Sequence, residues 1–128
     1  MKKLLCLFLA LGALAGCTSS ADKEHQLELM ASNRAGVLSA GLPMEYGPLQ
    51  IMRVSSAKNV VEMMMIYNDG AMGAKPLAQV LNSSIYTFCH KREIRDHINM
   101  GLMYRVKVRN TRGQLIADEL ISEQRCSN

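Results

Sequence analysis

The sequence predicts an α+β domain: a mostly antiparallel sheet of four to five strands, with helices packed on one face and one disulfide. Segments 48–67 and 102–121 each contain two runs with the composition of strands around a polar turn, which is typical of a β-hairpin. Apolar residues at helical spacing precede the first hairpin and separate it from the second. This order of elements predicts a single sheet covered by helices.

The first sixteen residues have the pattern of a bacterial lipoprotein signal peptide. Lys2 and Lys3 precede an apolar run over residues 4–15, which is too short to span a bilayer but has the length of a signal h-region. The run ends in Leu14-Ala15-Gly16-Cys17, a lipobox whose small residues admit the peptidase and whose thiol is acylated. We expect residues 1–16 to be removed and lipid to be attached to Cys17. An ordinary cleaved signal peptide is the alternative.

The residue after the lipobox predicts the membrane that receives the protein. It is Thr18 rather than Asp, which in lipoproteins of this kind indicates export to the outer membrane. Because several acyl chains anchor a lipoprotein permanently, no transmembrane helix is needed. We expect a lipid-anchored protein at the periplasmic face of the outer membrane, with a tether over residues 17–23 and one domain over residues 24–128.

The cysteines left in the mature domain form an even pair. Cys6 leaves with the signal peptide and Cys17 carries lipid, so Cys89 and Cys126 remain in a space that permits disulfides. A structural disulfide between them is the favoured interpretation. Two free buried thiols or half of a metal site are the alternatives, although no nearby Cys-x-x-Cys or His-x-x-x-His spacing supplies further ligands.

The charge of the mature chain is close to neutral. The 15 basic residues include Lys2 and Lys3 of the signal peptide, which leaves 13 against 11 acidic residues and a net charge of about +2. Nucleic-acid binding therefore has no electrostatic basis, and we expect no nucleic-acid partner.

A helix is predicted over residues 22–40, and Gly41 and Pro43 mark its end. A loop over residues 42–47 is expected next. Five apolar residues at helical spacing are expected to form the buried face of the helix: Leu27, Met30, Ala31, Val37 and Leu38.

The first hairpin is predicted to pair strands over residues 48–54 and 59–67 through a turn over residues 55–58. Glu62 marks the solvent-facing side of the second strand. The alternate residues of that strand are expected to point inward: Val61, Met63, Met65 and Tyr67.

Two helices are predicted between the hairpins. The first begins near Pro76, and a second covers residues 91–100 with Ile94 and Ile98 on one face. Gly101 follows at a position that suits a left-handed C-cap. The first of these helices presents one apolar face: Leu77, Val80, Leu81, Ile85 and Phe88.

The second hairpin is predicted to pair residues 102–109 with 114–121. If Arg109 and Gln114 flank the turn, then Val108 faces Leu115, Val106 faces Ala117, Leu102 faces Ile121 and Arg105 falls opposite Asp118. Both strands then agree on which face is buried. Glu119 opposite Tyr104 is the exception.

No catalytic, cofactor or metal site is predicted. His25, His90 and His97 are interpreted as solvated surface residues, because no carboxylate or cysteine completes a site with them. Asp118 and Glu119 are adjacent on a strand and point to opposite faces, so they do not form an acid and base pair. We therefore expect no enzymatic activity.

Two groups of residues keep open interpretations. Arg105, Lys107 and Arg109 form a basic stripe, which is either a solvated strand face or a docking surface. Methionine is in excess, and these side chains either fill the core or line an adaptable groove for an amphipathic helix. The methionines concerned are Met63, Met64, Met65, Met100 and Met103.

The region from Cys89 to Cys126 carries a pattern seen in one family. Cys89 is followed by Gly101-Leu102-Met103-Tyr104-Arg105-Val106-Lys107-Val108, then by Asn110-Thr111-Arg112 with Gly113, and finally by Cys126. This pattern resembles the small α/β pilotins of type II secretion, the AspS class. One departure is that Lys91-Arg92-Glu93 replaces the Asp-Pro that usually starts the helix after the first cysteine.

The resemblance implies a lipoprotein that binds the C-terminal segment of the secretin subunit. It further implies transport of the secretin to the outer membrane by the lipoprotein sorting machinery, help in secretin assembly, and no catalysis. It assigns no groove residues on this chain. The alternative function is another periplasm-facing outer-membrane lipoprotein, such as a hydrolase inhibitor or an accessory subunit of another envelope complex.

Overall fold

The structure, a computed structural model, describes residues 19–128. The predicted signal peptide and the lipidation site Cys17 lie outside the described residues. Within that range the chain forms four helices, α1 (Ser19–Ser39), α2 (Leu77–His90), α3 (Arg92–Asn99) and α4 (Glu123–Ser127). It also forms five strands, β1 (Met44–Tyr46), β2 (Leu49–Ala57), β3 (Val60–Tyr67), β4 (Met103–Arg109) and β5 (Leu115–Ile121). None of the described helices is both long and apolar enough to cross a membrane.

The five strands form one sheet in the order β1-β2-β3-β4-β5. Neighbouring strands are antiparallel except β3 and β4, which run parallel. A parallel pair needs a long crossover connection, and α2 and α3 provide it. The predicted fold class, an α+β domain with a mostly antiparallel sheet, is confirmed.

The core lies between the helices and one face of the sheet. Buried and partly exposed residues alternate along β3 and along β4, so one side of each strand is covered and the other faces outward. The inward residues predicted on β3, from Val61 to Tyr67, are all buried. Phe88, Ile94 and Ile98 cover them from α2 and α3 as part of one apolar cluster.

Helix α1 differs from the prediction in its buried face and its start. Val37 is 68% exposed, whereas Ala31, which was predicted to be buried, and Ala35, which was not, are both buried in the core. Small residues four positions apart let a helix approach the sheet closely. In the sequence such a pair is less conspicuous than the larger apolar residues around it. The helix begins at Ser19, so part of the segment expected to be a tether is helical.

The first hairpin is longer than predicted, and it has an additional edge strand. Residues 55–57, expected in the turn, belong to β2, and Ala57 pairs with Val60 across a two-residue turn in which Lys58 has φ 53°. The expected loop over residues 42–47 contains β1. Gly47 has φ 61°, a conformation that glycine adopts easily, and it lets the chain turn back so that Tyr46 pairs with Leu49.

The second hairpin has the predicted buried face but a different register. Tyr104 pairs with Ile121 and Val106 with Glu119, a shift of two residues from the prediction, with an irregularity at Arg109. A shift of two preserves which side chains share a face, since the period of a strand is two. The predicted opposition of Tyr104 and Glu119 was therefore wrong, and Tyr104 lies in the core.

Gly101 confirms its predicted role at the end of α3. It has φ 112°, and a Cβ atom at this position would lie 3.1 Å from Leu27 Cδ1 of α1. The side chain of Asn59 donates to the Gly101 carbonyl at 3.0 Å, and the Asn59 carbonyl accepts from the Met103 amide at 2.9 Å. These bonds join the β2–β3 turn to the start of β4.

Candidate partner-binding groove

Cys89 and Cys126 form the predicted disulfide, which connects the end of α2 to α4. Helix α4 was not predicted. Ser122 caps it by accepting a hydrogen bond from the Arg125 amide, and the helix places Cys126 beside Cys89. The bond fixes the C-terminal end of α2, which is one wall of the groove described next.

A groove of about 640 Å³ opens between α1, α2 and the helix-covered face of the sheet. Its floor comes from β2 and β3 and is mainly apolar, with Ile51, Met63 and Met65 among the lining residues. At one end the Tyr67 hydroxyl donates to the Lys75 carbonyl and ties down the β3–α2 loop. A concave apolar site of this size suits one face of a partner helix.

Helix α2 lines the groove along one of its faces. Val80, Ser84, Thr87 and Lys91 follow each other at spacings of three and four residues, the spacing of one helical face. The hydroxyls of Ser84 and Thr87 donate to carbonyls of their own helix, so they leave no unmet donor on the wall. At 1.5 Å rise per residue this face is about 16 Å long, enough for about three turns of a docked helix.

The opposite wall comes from α1 and the edge strand. Arg34 and Leu38 line it from the helix, and Met44 and Tyr46 line it from β1. Tyr46 is 61% exposed and widens the apolar rim. The strand that the sequence analysis took for a loop therefore forms part of the candidate site.

The charged residues of the lining share one sign. Arg34, Lys75 and Lys91 line the groove, and within residues 19–128 no acidic side chain does. Arg34 is paired outside the lining, where its Nη1 donates to Glu93 Oε1 at 2.8 Å. The groove thus combines an apolar floor with a cationic rim.

Tyr104 contributes a buried polar group to the groove lining. Its ring packs edge to face on Phe88, with centroids 5.2 Å apart. Burial raises the pKa of Tyr104, while the charge of the neighbouring Arg34 guanidinium and its hydrogen bond to the hydroxyl oppose that shift. The hydroxyl proton itself has no acceptor among the described residues.

The histidines are not brought together. His25 and His90 are exposed, as expected, and the ring of His90 stacks on Tyr86. His97 is partly buried and its Nδ1 lacks a partner within the described chain, so the expectation of a solvated side chain was wrong there. No cluster of three metal-ligating side chains occurs in residues 19–128.

The basic stripe lies on the face of the sheet opposite the groove. Arg105 holds Asp118 through two hydrogen bonds, Nε to Oδ1 at 2.8 Å and Nη2 to Oδ2 at 2.7 Å. Lys107 pairs with Glu62 at 3.2 Å. Asp118 is on this face and Glu119 on the other, which agrees with the prediction that they do not act together. Two of the three cations of the stripe thus have an acidic partner beside them.

Of the five methionines with open interpretations, two lie both in the core and on the groove floor. Met63 and Met65 are buried in the core and also form part of the groove floor. Met64 and Met103 lie on the outer face of the sheet and are partly exposed, and Met100 is 47% exposed at the end of α3. Arg34 and Tyr104 were not predicted as site residues. The strand pattern placed Tyr104 inward, but no local signal relates it to Arg34.

The fold and sequence of this chain match known proteins. A family model described as type II secretion system (T2SS) pilotin, S protein, matches residues 23–126. The chain belongs to the type II secretion pilotin family. Among solved structures it is similar to EpsS, the pilotin of the Vibrio vulnificus type 2 secretion system, at 60% identity and a TM-score of 0.79, over 83% of this chain and 96% of that one.

A second solved pilotin is similarly related. It is AspS of the Vibrio cholerae type II secretion system, at 47% identity and a TM-score of 0.79, over 84% of this chain and 99% of that one. No curated protein sequence matches the chain. The matched residues of this pilotin extend from within α1 through β5 into α4. They therefore include both walls and the floor of the groove.

Proposed function

We propose that this pilotin binds the C-terminal segment of a type II secretion secretin in the groove between α1, α2 and the sheet. The observation that carries the proposal is the groove itself: an apolar floor left uncovered by the fold, about three helical turns long on its α2 wall. Membership of the pilotin family supports the identity of the partner. The proposed binding mode is an amphipathic helix whose apolar face covers the floor.

The proposal extends to transport of the bound secretin. Lipid on Cys17 would anchor the pilotin at the periplasmic face of the outer membrane after passage through the lipoprotein sorting machinery. A secretin bound in the groove shares that destination, because binding links the two chains. The proposal includes no catalytic step. The turn at residues 110–113 is short and closed on itself by Asn110, which disfavours an inhibitor that inserts a protruding loop.

Titration calorimetry tests the binding step. The titration uses mature pilotin as Cys17→Ser, without its signal peptide, and a peptide of the C-terminal segment of the secretin from the same organism. We expect one-to-one binding at micromolar or lower Kd with a negative heat-capacity change, the mark of apolar burial. A scrambled peptide should not bind.

A matched pair of variants tests whether the peptide binds in the groove. Ser83 lines the groove on the exposed side of α2, whereas its neighbour Asn82 is exposed outside the lining. Ser83→Trp should fill the groove and weaken binding at least about tenfold, which corresponds to ~1.4 kcal/mol. Asn82→Trp should bind as the parent protein does. Equal affinities of the two variants, or a folded parent protein that does not bind, would contradict the proposal.

A further inference from the structure

Two buried donors of the groove wall lack an acceptor within the described fold. Tyr104 is 0% exposed, and its hydroxyl lies beside Arg34 but has no acceptor for its own proton in the described chain. Arg34 Nε is likewise buried and unpaired. Buried donors are nearly always satisfied in folded proteins, so two neighbouring exceptions that both line a groove indicate a group supplied by the occupant.

The chemistry of that group follows from the two donors. Burial raises the pKa of Tyr104, so its hydroxyl stays protonated and donates. Arg34 is a cation that accepts no hydrogen bond. Both groups therefore require an acceptor.

Arg105 shows what a complete guanidinium contact looks like in the same protein. It uses Nε and Nη2 to hold both oxygens of Asp118. Arg34 uses Nη1 for Glu93, which is 59% exposed, and leaves its Nε without a partner among the described residues. The edge of Arg34 that contains Nε is the edge by which arginines hold carboxylates in two-bond pairs.

The charge of the lining selects an anionic acceptor over a neutral one. Arg34, Lys75 and Lys91 line the groove without an acidic residue in the described lining. A carboxylate brought into this environment gains attraction from Lys75, Lys91 and Arg34, although Glu93 already offsets part of the Arg34 charge; a carbonyl oxygen gains less.

We propose that Arg34 and Tyr104 together receive one Asp or Glu side chain of the segment that docks in the groove. The inference rests on the proposed function, since it names the recognition group at the same site. One carboxylate accepts both hydrogen bonds, from Arg34 Nε and from the Tyr104 hydroxyl. A docked helix directs side chains at three- and four-residue spacing toward the floor, so an acidic residue among its apolar anchors reaches the pair.

The test measures binding of the secretin peptide to Tyr104→Phe and Arg34→Gln in the Cys17→Ser background. Tyr104→Phe removes only the hydroxyl, whose neighbour in the described fold is Arg34 and whose proton has no acceptor there, so its thermal midpoint should lie close to that of the parent. Each variant should bind at least about tenfold more weakly, as expected for one hydrogen bond to a charged group. Arg105→Gln, which removes the same charge from the opposite face, is the control and should bind as the parent does.

Peptide variants identify the carboxylate. Each Asp or Glu of the peptide is replaced in turn by its amide, and a further peptide carries a C-terminal amide. We expect one side-chain replacement to weaken binding to the parent and to abolish the difference between the parent and Tyr104→Phe, whereas the terminal amide has no effect.

Three results would overturn the inference. One is parent-like affinity of both Tyr104→Phe and Arg34→Gln. Another is that the affinity difference between the parent and the two variants disappears with the peptide that carries a C-terminal amide and with none of the side-chain amide peptides. That result would assign the site to the chain end. In both cases the parent protein still binds the peptide and the proposed function stands. If the folded parent itself does not bind, the proposed function and this inference fall together.

Discussion

The two faces of the central strands β3 and β4 have different surroundings. On the outer face, Lys107 pairs with Glu62 and Arg105 pairs with Asp118. On the inner face, Met63 and Met65 belong to the core and yet border an open groove lined by Arg34, Lys75 and Lys91; Glu93 pairs with Arg34, and the two lysines have no ion pair in the described chain. Charges that neutralise each other leave little to recognise, whereas an uncovered apolar floor beside an excess of positive charge gains free energy from a partner.

The largest expected effect concerns the bond that holds the groove wall in place. Removing the disulfide with Cys89→Ala and Cys126→Ala should lower the free energy of unfolding by about 4 kcal/mol, because the unfolded chain regains the freedom of a loop of this length. Urea unfolding of the parent and the double variant measures the change. If the two proteins unfold at the same urea concentration, the disulfide does not stabilise the fold, and the position of the α2 wall does not depend on it. Reduced parent protein serves as the control and should match the variant.

Neighbouring methionines on the two faces give the next effect. Met65 is 4% exposed, whereas Met64 points to the outer face. Met65→Ala should cost about 2–3 kcal/mol through lost burial and a new cavity. Met64→Ala, the matched control one residue away, should cost less than about 1 kcal/mol. Urea unfolding of both variants compares the faces directly, and equal costs would contradict the distinction drawn between them.

The smallest expected effect concerns the paired charges of the outer face. The hydrogen bond from Arg105 lowers the pKa of Asp118 below its ordinary value of 3.8, against a smaller opposing effect of burial. A lowered pKa in the folded state stabilises the protein above 3.8, and this contribution is lost as the pH falls through the folded-state value. Both side chains are partly exposed to solvent, which screens the pair, so the contribution is small.

Asp118→Asn measures that contribution. Its urea midpoint should lie slightly below that of the parent at neutral pH, and the difference should shrink as the pH falls below 3.8. Peptide binding at neutral pH should not change, because the pair lies on the face opposite the groove. A difference in midpoint that grows in acid would contradict the direction of the pKa shift.

Much of the fold follows from local sequence patterns. Period-two alternation identified the inward residues of β3, and helical spacing with Pro76 located α2. Gly101 was identified at the end of α3, and the pairing of Cys89 with Cys126 followed from their being the two cysteines left in the mature domain. These features depend on a residue and its near neighbours, or on a count, and so the sequence contains them directly.

Errors arose where the decisive neighbour lies far along the chain. The β4–β5 register differs by two residues from the prediction, because both registers keep the same side chains buried and the pattern does not distinguish them. Strand β1 is three residues long and exists because β2 offers it a partner edge. Val37 belongs to the same turn of α1 as Leu38, which packs against the core, but it lies on the other side of the helix and is 68% exposed.

By itself, then, the sequence determined the α+β class, the alternation of the central strands, the disulfide pair and the likeness to pilotins. The tertiary structure decided where the groove is and what lines it. Arg34 lies on α1 and Tyr104 on β4, and they are neighbours because α1 crosses the same sheet face on which β4 presents its buried side. Periodicity describes which side of an element is covered. It does not describe the gap that remains between two helices packed on that side, and the candidate site lies in that gap.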